Sequence, residues 1–209
     1  MQPISRRSNT GLSPLFGKVF IMIEISYTQM VTAISVIWLL IRGICAVKNK
    51  HISLKRELEL LLVYICIVVV VRFTFCPFGK VDGKIQPLLF DRGQIFPFWL
   101  NWKPFVYLFD YPTMKEALLN LIGNTTMFIP LGVVWPAVFK KLNSHFKVIA
   151  AGFGITLAIE LLQLPFFDRA TDIDDLILNT AGFLTGYGIY LLVKKASRKS
   201  EIKKEHGAL

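Results

Sequence analysis

The segment Arg169–Val193, "RATDIDDLILNTAGFLTGYGIYLLV", governs how the chain is read. From Leu176 onward it is nearly all apolar and long enough for a membrane helix, which needs roughly 20 residues to cross about 30 Å of hydrocarbon. Yet it opens with Asp172, Asp174 and Asp175 and carries Asn179 in its first half. Acid at the mouth of a span calls for a physical reason.

The rest of the chain makes the membrane setting general. It has 54% hydrophobic and 18% charged residues, with a mean hydropathy of +0.53. A soluble domain of this size carries more charge and shorter apolar runs. Apolar stretches of spanning length recur at Val19–Ile41, Leu60–Phe78, Ala117–Phe139, Val148–Leu164 and Leu176–Val193. The expected fold is an all-α integral membrane protein, a bundle of about five transmembrane helices. The first stretch is too long for a removable signal peptide, and Arg42 in "LLIRGICAV" stands where cleavage needs small residues. Cys45, Cys66 and Cys76 form no disulfide or zinc spacing and read as small apolar residues.

The net charge of +10 does not imply nucleic acid, because the Lys and Arg residues lie in blocks beside the spans. Such blocks favour the cytoplasmic side. With the N-terminus outside, fourteen fall inside, in 42–59, 140–147 and the tail from Lys194, against nine outside. The expected orientation is N-terminus out and C-terminus in, with the basic tail near anionic lipid. Between the second and third spans, residues 79–116 hold Pro87, Pro97, Pro104 and Pro112. They also hold Phe90, Phe96, Phe98, Trp99, Trp102, Phe105, Tyr107, Phe109 and Tyr111. This aromatic and proline-rich outer loop is expected to lie on, or dip into, the outer leaflet. In the third span, Pro130 predicts a bend, with the Thr125 and Thr126 hydroxyls covering the freed backbone.

Given this orientation, the intramembrane polar residues gather in one leaflet. Arg72 lies near the outer end of the second span, Asn120 and Asn124 in the outer half of the third, and Glu160 and Gln163 near the outer end of the fourth. Asp172, Asp175 and Asn179 share one stripe of the fifth, with Asp174 off it and Arg169 just before it. A charge at mid-membrane costs about 2.5–3.5 kcal/mol on insertion scales, so these groups should face a bundle interior or a wet pocket. Arg72 and Arg169 are the cations within reach of Glu160. Asp172 and Asp174 are also suited to a helix start, where the dipole favours acid. The stripe continues through Gly182 and Gly186, spacing that lets a neighbouring backbone approach. The acids then line a polar cavity open to the outer surface.

Three motifs in order resemble the VanZ-like family of membrane proteins. They are "NLIGNTTMFIPLG" (Asn120, Gly123, Asn124, Phe128, Pro130, Gly132), "IELLQ" (Glu160, Gln163) and "RATDIDDLILNTAGFLTGY" (Arg169, Asp172, Asp175, Asn179, Gly182, Gly186, Tyr187). "RFTFCPF" and "WLNWKPF" are similar to upstream family elements. The resemblance divides the chain into residues 1–59, a polar tail, first span and basic connection; 60–193, a core of four spans; and 194–209, a basic tail. It implies a bacterial cytoplasmic-membrane protein linked to low-level resistance to teicoplanin-type glycopeptides, and supplies no catalytic residues.

Two classes of function follow. In the first, a non-enzymatic factor binds a lipid, or a lipid-linked cell-wall precursor that the glycopeptide also seeks, at the outer polar pocket. In the second, Glu160, Asp172, Asp175 and Asn179 offer hard oxygen ligands for Mg²⁺ or Ca²⁺, with Arg72 or Arg169 on a lipid phosphate. The chain has no H-E-x-x-H, G-x-S-x-G or P-loop, and His51 and His145 fall on the inner side with His206 in the tail. The sequence therefore favours binding over catalysis and names no cofactor or metal. A transporter is disfavoured, because the five spans show no internal repeat and their inner halves are apolar.

Overall fold

The computed structural model describes residues 23–49, 53–76, 80–81, 83–91, 93, 100–106, 109, 111–167, 169 and 171–206. Five helices dominate: α1 (Tyr27–Asn49), α2 (Leu54–Phe75), α3 (Met114–Val138), α4 (His145–Gln163) and α5 (Ile173–His206). Each is long and apolar enough to cross a membrane. The protein is a multi-pass helical membrane protein, as its hydropathy requires.

Short polar caps set the starts of α1, α3 and α4. Ser26 and Gln29 cap α1 reciprocally: Gln29 N donates to Ser26 Oγ at 3.2 Å and Ser26 N donates to Gln29 Oε1 at 2.8 Å. Thr113 accepts from Glu116 N at the start of α3, and Ser144 from Lys147 N at the start of α4. The helices overrun the apolar stretches. Residues 42–49, expected in a connection, belong to α1, and α5 continues through the basic tail to His206. Helix propensity in "VKKASRKSEIKKEH" carries α5 on after apolar burial has ended.

Pro130 and Pro136 both lie inside α3, which runs unbroken from Met114 to Val138. The expected repair by threonines takes another form. Thr125 Oγ1 donates to Leu121 O and Thr126 Oγ1 to Ile122 O, so the hydroxyls serve the preceding turn.

The core lies among α2, α3, α4 and α5, with Phe128 and Phe183 fully buried at its centre. α3 and α5 approach most closely, through glycine. A Cβ on Gly182 would strike the Thr125 carbonyl, one on Gly186 the Ile129 carbonyl, and one on Gly132 the Phe183 carbonyl. Without a hydrophobic drive between helices in lipid, this backbone approach supplies the packing. By contrast, none of the apolar window of α1 is buried. α1 rests on α2 through Ser35 and Tyr64 hydroxyls 2.6 Å apart, the Trp38–Tyr64 rings and the Arg42–Glu57 ion pair. Its exposed Leu39, Leu40 and Ile44 are the surface that a bilayer covers.

One end of the bundle is capped by three two-stranded patches. β1 (Ile23–Ile25) pairs antiparallel with β4 (Leu88–Phe90); β2 (Lys80–Val81) and β3 (Lys84–Ile85) form a hairpin; β5 (Leu100–Asn101) runs parallel to β6 (Thr171–Asp172). Gly83 takes φ of 73° in the hairpin turn, a value that glycine adopts at no steric cost. β4 is anchored rather than loose: Leu88 is buried in the core, Phe167 N donates to Leu89 O and Asp91 N to Pro165 O. The exposed side chains of Trp102, Phe105 and Phe109 lie in the same connection. Pro97, Phe96, Phe98, Trp99 and Tyr107, part of the expected aromatic loop, lie outside the described residues.

Candidate functional site

The helix directions bring Arg72, Asn120, Asn124, Glu160, Gln163 and the start of α5 to the same end of the bundle, beneath the strand patches. At that end, β6 fixes the entry into α5. Its register sets Asn101 opposite Asp172, and Asn101 Nδ2 donates to both carboxylate oxygens of Asp172 at 3.1 Å. Asp172 Oδ1 also accepts from Asp174 N at 2.9 Å, which makes Asp172 the N-cap of α5. The backbone N–H of Asp172 donates to Glu160 Oε2 at 3.3 Å, and Thr171 Oγ1 donates to the Glu160 carbonyl at 2.8 Å. Glu160 is 2% exposed. Its carboxyl group is thereby stitched to the mouth of α5.

The stripe of α5 turns to α3, where Asn124 Nδ2 donates to Asp175 Oδ1. Asn120 Oδ1 lies 3.5 Å from the same amide nitrogen, one turn back on α3. Asn179 follows one turn beyond Asp175, fully buried, with no partner for its Oδ1 among the described residues. Below it, Thr156 and Thr180 hydroxyls meet at 3.0 Å and close the polar run between α4 and α5.

The cations turn toward the end of α2. Arg169 donates through Nε and Nη2 to Phe75 O, at 3.0 and 2.6 Å. Arg72 Nη1 lies 3.4 Å from Cys76 O, and its guanidinium stacks over the Tyr27 and Phe73 rings. Both arginines therefore cover carbonyls that a helix C-terminus leaves open. Expected near Glu160, they instead lock α2 to the cap, while the charge of Arg169 also reaches Asp175. Gln163 Nε2 donates to Thr74 O at 2.7 Å, leaving its buried Oε1 without a partner.

Three residues of the site escaped the sequence reading or were assigned otherwise. Asp174, off the stripe, is buried; its Oδ1 accepts from Phe105 N at 2.8 Å and its Oδ2 has no partner. It ties the aromatic connection to α5, with Phe105 at φ of 65°. Asn101 holds Asp172 across the parallel strands, a pairing of residues 71 apart in sequence. Tyr111 stands against the acids, and burial together with Asp175, Asp172 and Asp174 pushes its phenol up to about 12. Its only sequence signal was membership of the aromatic run.

Glu160 lies within electrostatic reach of Asp172 and Asp175, and Asp175 within reach of Asp172 and Asp174. They do not gather as metal ligands: among the described residues no three His, Cys, Asp or Glu side chains form a group able to hold an ion. Two surface hollows lie elsewhere, one along Leu39–Lys48 of α1 and one between α3 and α5 at the opposite end, lined by Val133, Tyr190 and Arg198.

A helical multi-pass membrane protein with a buried acidic and amide network under a strand cap is the class that this architecture defines. The VanZ/LLP1 family model matches residues 61–194, and the chain belongs to that family. Protein VanZ of Enterococcus faecium is 31% identical over 103 residues, 49% of this chain and 59% of that protein. The uncharacterized membrane protein YwnJ of Bacillus subtilis (strain 168) is 31% identical over 94 residues, 45% of this chain and 63% of that one. The aligned region thus spans less than two thirds of either relative. No solved structure matches the chain. The family match begins inside α2, leaving peripheral α1 outside it.

Proposed function

We propose that this chain is a multi-pass protein of the bacterial cytoplasmic membrane, N-terminus out and C-terminus in, that lowers susceptibility to teicoplanin-type glycopeptides. In this reading the polar end faces outward and binds a lipid or a lipid-linked cell-wall precursor, limiting what the antibiotic can engage. One observation carries it: α3, α4 and α5 bury Asn124, Glu160, Gln163, Asp174 and Asn179 at a single end. Burial of so many polar groups in a small bundle costs stability unless they serve recognition or a fully satisfied network. Here, some acceptors stay open. The family assignment supports the link to resistance, and the relative in Enterococcus faecium supports the bacterial setting.

The test is expression in a susceptible bacterium, with inhibitory concentrations measured for teicoplanin and vancomycin. Wild-type protein should raise the teicoplanin value severalfold, and Glu160→Ala and Asp175→Ala should return it toward the empty-vector level at equal membrane abundance. Unchanged sensitivity to both drugs contradicts the resistance role. Full resistance in both variants removes the polar end from it.

A further inference from the structure

The hydrogen-bond inventory of the polar end is lopsided. Five of its donor side chains are engaged: Asn101 on Asp172, Asn124 on Asp175, Gln163 on Thr74 O, Arg169 on Phe75 O and Thr171 on Glu160 O. Three of its acceptors are not. Gln163 Oε1, Asp174 Oδ2 and Asn179 Oδ1 are buried without a partner among the described residues, in residues at most 5% exposed. An orphaned buried acceptor destabilises the fold, so a guest that donates to it is favoured. All three flank the same acids: Asp174 is one of them, Asn179 is a turn beyond Asp175 on its stripe, and Gln163 is nearly a turn beyond Glu160.

Charge points the same way. Four carboxyl groups share this end, and the cation described as reaching them, Arg169, is fastened to the end of α2. A low-dielectric site of that composition favours a guest that is positive and rich in N–H. A bare divalent ion is poorly served, because the carboxyl groups are not convergent. A primary ammonium has three donors and one charge in a compact head.

We infer that the polar end recognises its ligand by accepting hydrogen bonds from a primary ammonium group, as an aminophospholipid head group or a soluble amine presents. This rests on reading that end as a ligand site and names the chemistry it takes. The phosphate of such a lipid is secondary, since the arginines nearby already hold backbone carbonyls.

The purified full-length protein, in detergent, is offered phosphatidylethanolamine, phosphatidylcholine and phosphatidylglycerol of matched chains, and retained lipid is counted by native mass spectrometry. All three have phosphate; phosphatidylcholine keeps the cation but loses every N–H donor. Phosphatidylethanolamine should be retained at least about tenfold over both others, the scale of one well-made hydrogen bond to a charged group. A parallel arm adds ethanolamine or tetramethylammonium as free competitor. Displacement of the bound lipid by ethanolamine alone extends the recognition to soluble amines; displacement by neither confines it to lipid. Gln163→Met and Asn179→Leu, which keep bulk and remove an acceptor, should erase the preference, whereas Lys203→Gln at the exposed far end should keep it.

Equal retention of the three lipids by the wild-type protein, or preference for phosphatidylglycerol, overturns the inference whatever the variants do, with water then filling the acceptors. Because resistance is scored separately, a missing ammonium preference beside intact, Glu160-dependent resistance removes this inference and leaves the proposed function standing. Selective retention without resistance does the reverse.

Discussion

Tyr111 reports directly on the acids around it. Its phenol is pushed up to about 12 by burial and by Asp175, Asp172 and Asp174, from an ordinary value near 10. Below pH 10 the group is protonated in folded and unfolded chains alike. Between about pH 10 and 12 the unfolded chain gives up a proton that the folded one keeps, so stability falls as pH rises through that window. Ultraviolet titration of tyrosinate in the folded protein should show a late-ionising component. Tyr111→Phe should abolish it, and Asp175→Asn should shift it to lower pH; a component unaffected by either change belongs to another tyrosine. At this scale the sequence was partly readable. Spacing within one helix puts Asp172, Asp175 and Asn179 on one stripe, and depth in the membrane groups them with Asn124, Glu160 and Gln163. The roles of Asp174 and Asn101 were not readable, because they depend on β5 meeting β6, a contact between distant segments with no periodic signature.

Glycine sets the spacing of the principal helix pair. The G-x-x-x-G pattern of α5 foretells a close approach, and the partner proves to be α3, whose Gly132 answers it. Because the obstacle at Gly182 is the backbone carbonyl of Thr125, no rotamer change can make room. Gly182→Val should force the helices apart and destabilise the fold by about 1–3 kcal/mol or more, as overpacked sites do. Gly154→Ala and Gly188→Ala meet nothing within 4 Å and should leave stability unchanged or slightly raised, since alanine is the better helix former. Thermal unfolding in one detergent compares the three; equal loss in all would refute the close-packing role. Helix ends were less legible than helix centres. Apolar runs mark where lipid contact is needed, whereas α1 and α5 continue into charged sequence that has helix propensity but no apolar period.

The whole molecule is asymmetric along the membrane normal. One end holds the acids, amides and strand cap; the other holds Lys140, Lys141 and the helical extension of α5 with Lys194, Lys195, Arg198 and Lys199. Hydropathy alone yields five spans, and the bias of positive charge predicts an orientation for them, but nothing in either places α1 at the margin of the bundle. That position follows from the packing of its Ser35, Trp38 and Arg42 on α2, a pattern too sparse to read in advance. The resistance role proposed for the polar end requires it to face away from the cytoplasm. The decisive measurement is labelling of single cysteines at exposed Lys115, near that end, and exposed Ser197, on the extension of α5, with Cys45, Cys66 and Cys76 replaced. In intact cells a membrane-impermeant maleimide should modify the cysteine at 115 and spare the one at 197 until the membrane is opened. Modification at 197 with protection at 115 would turn the polar end to the cytoplasm and contradict the proposed function.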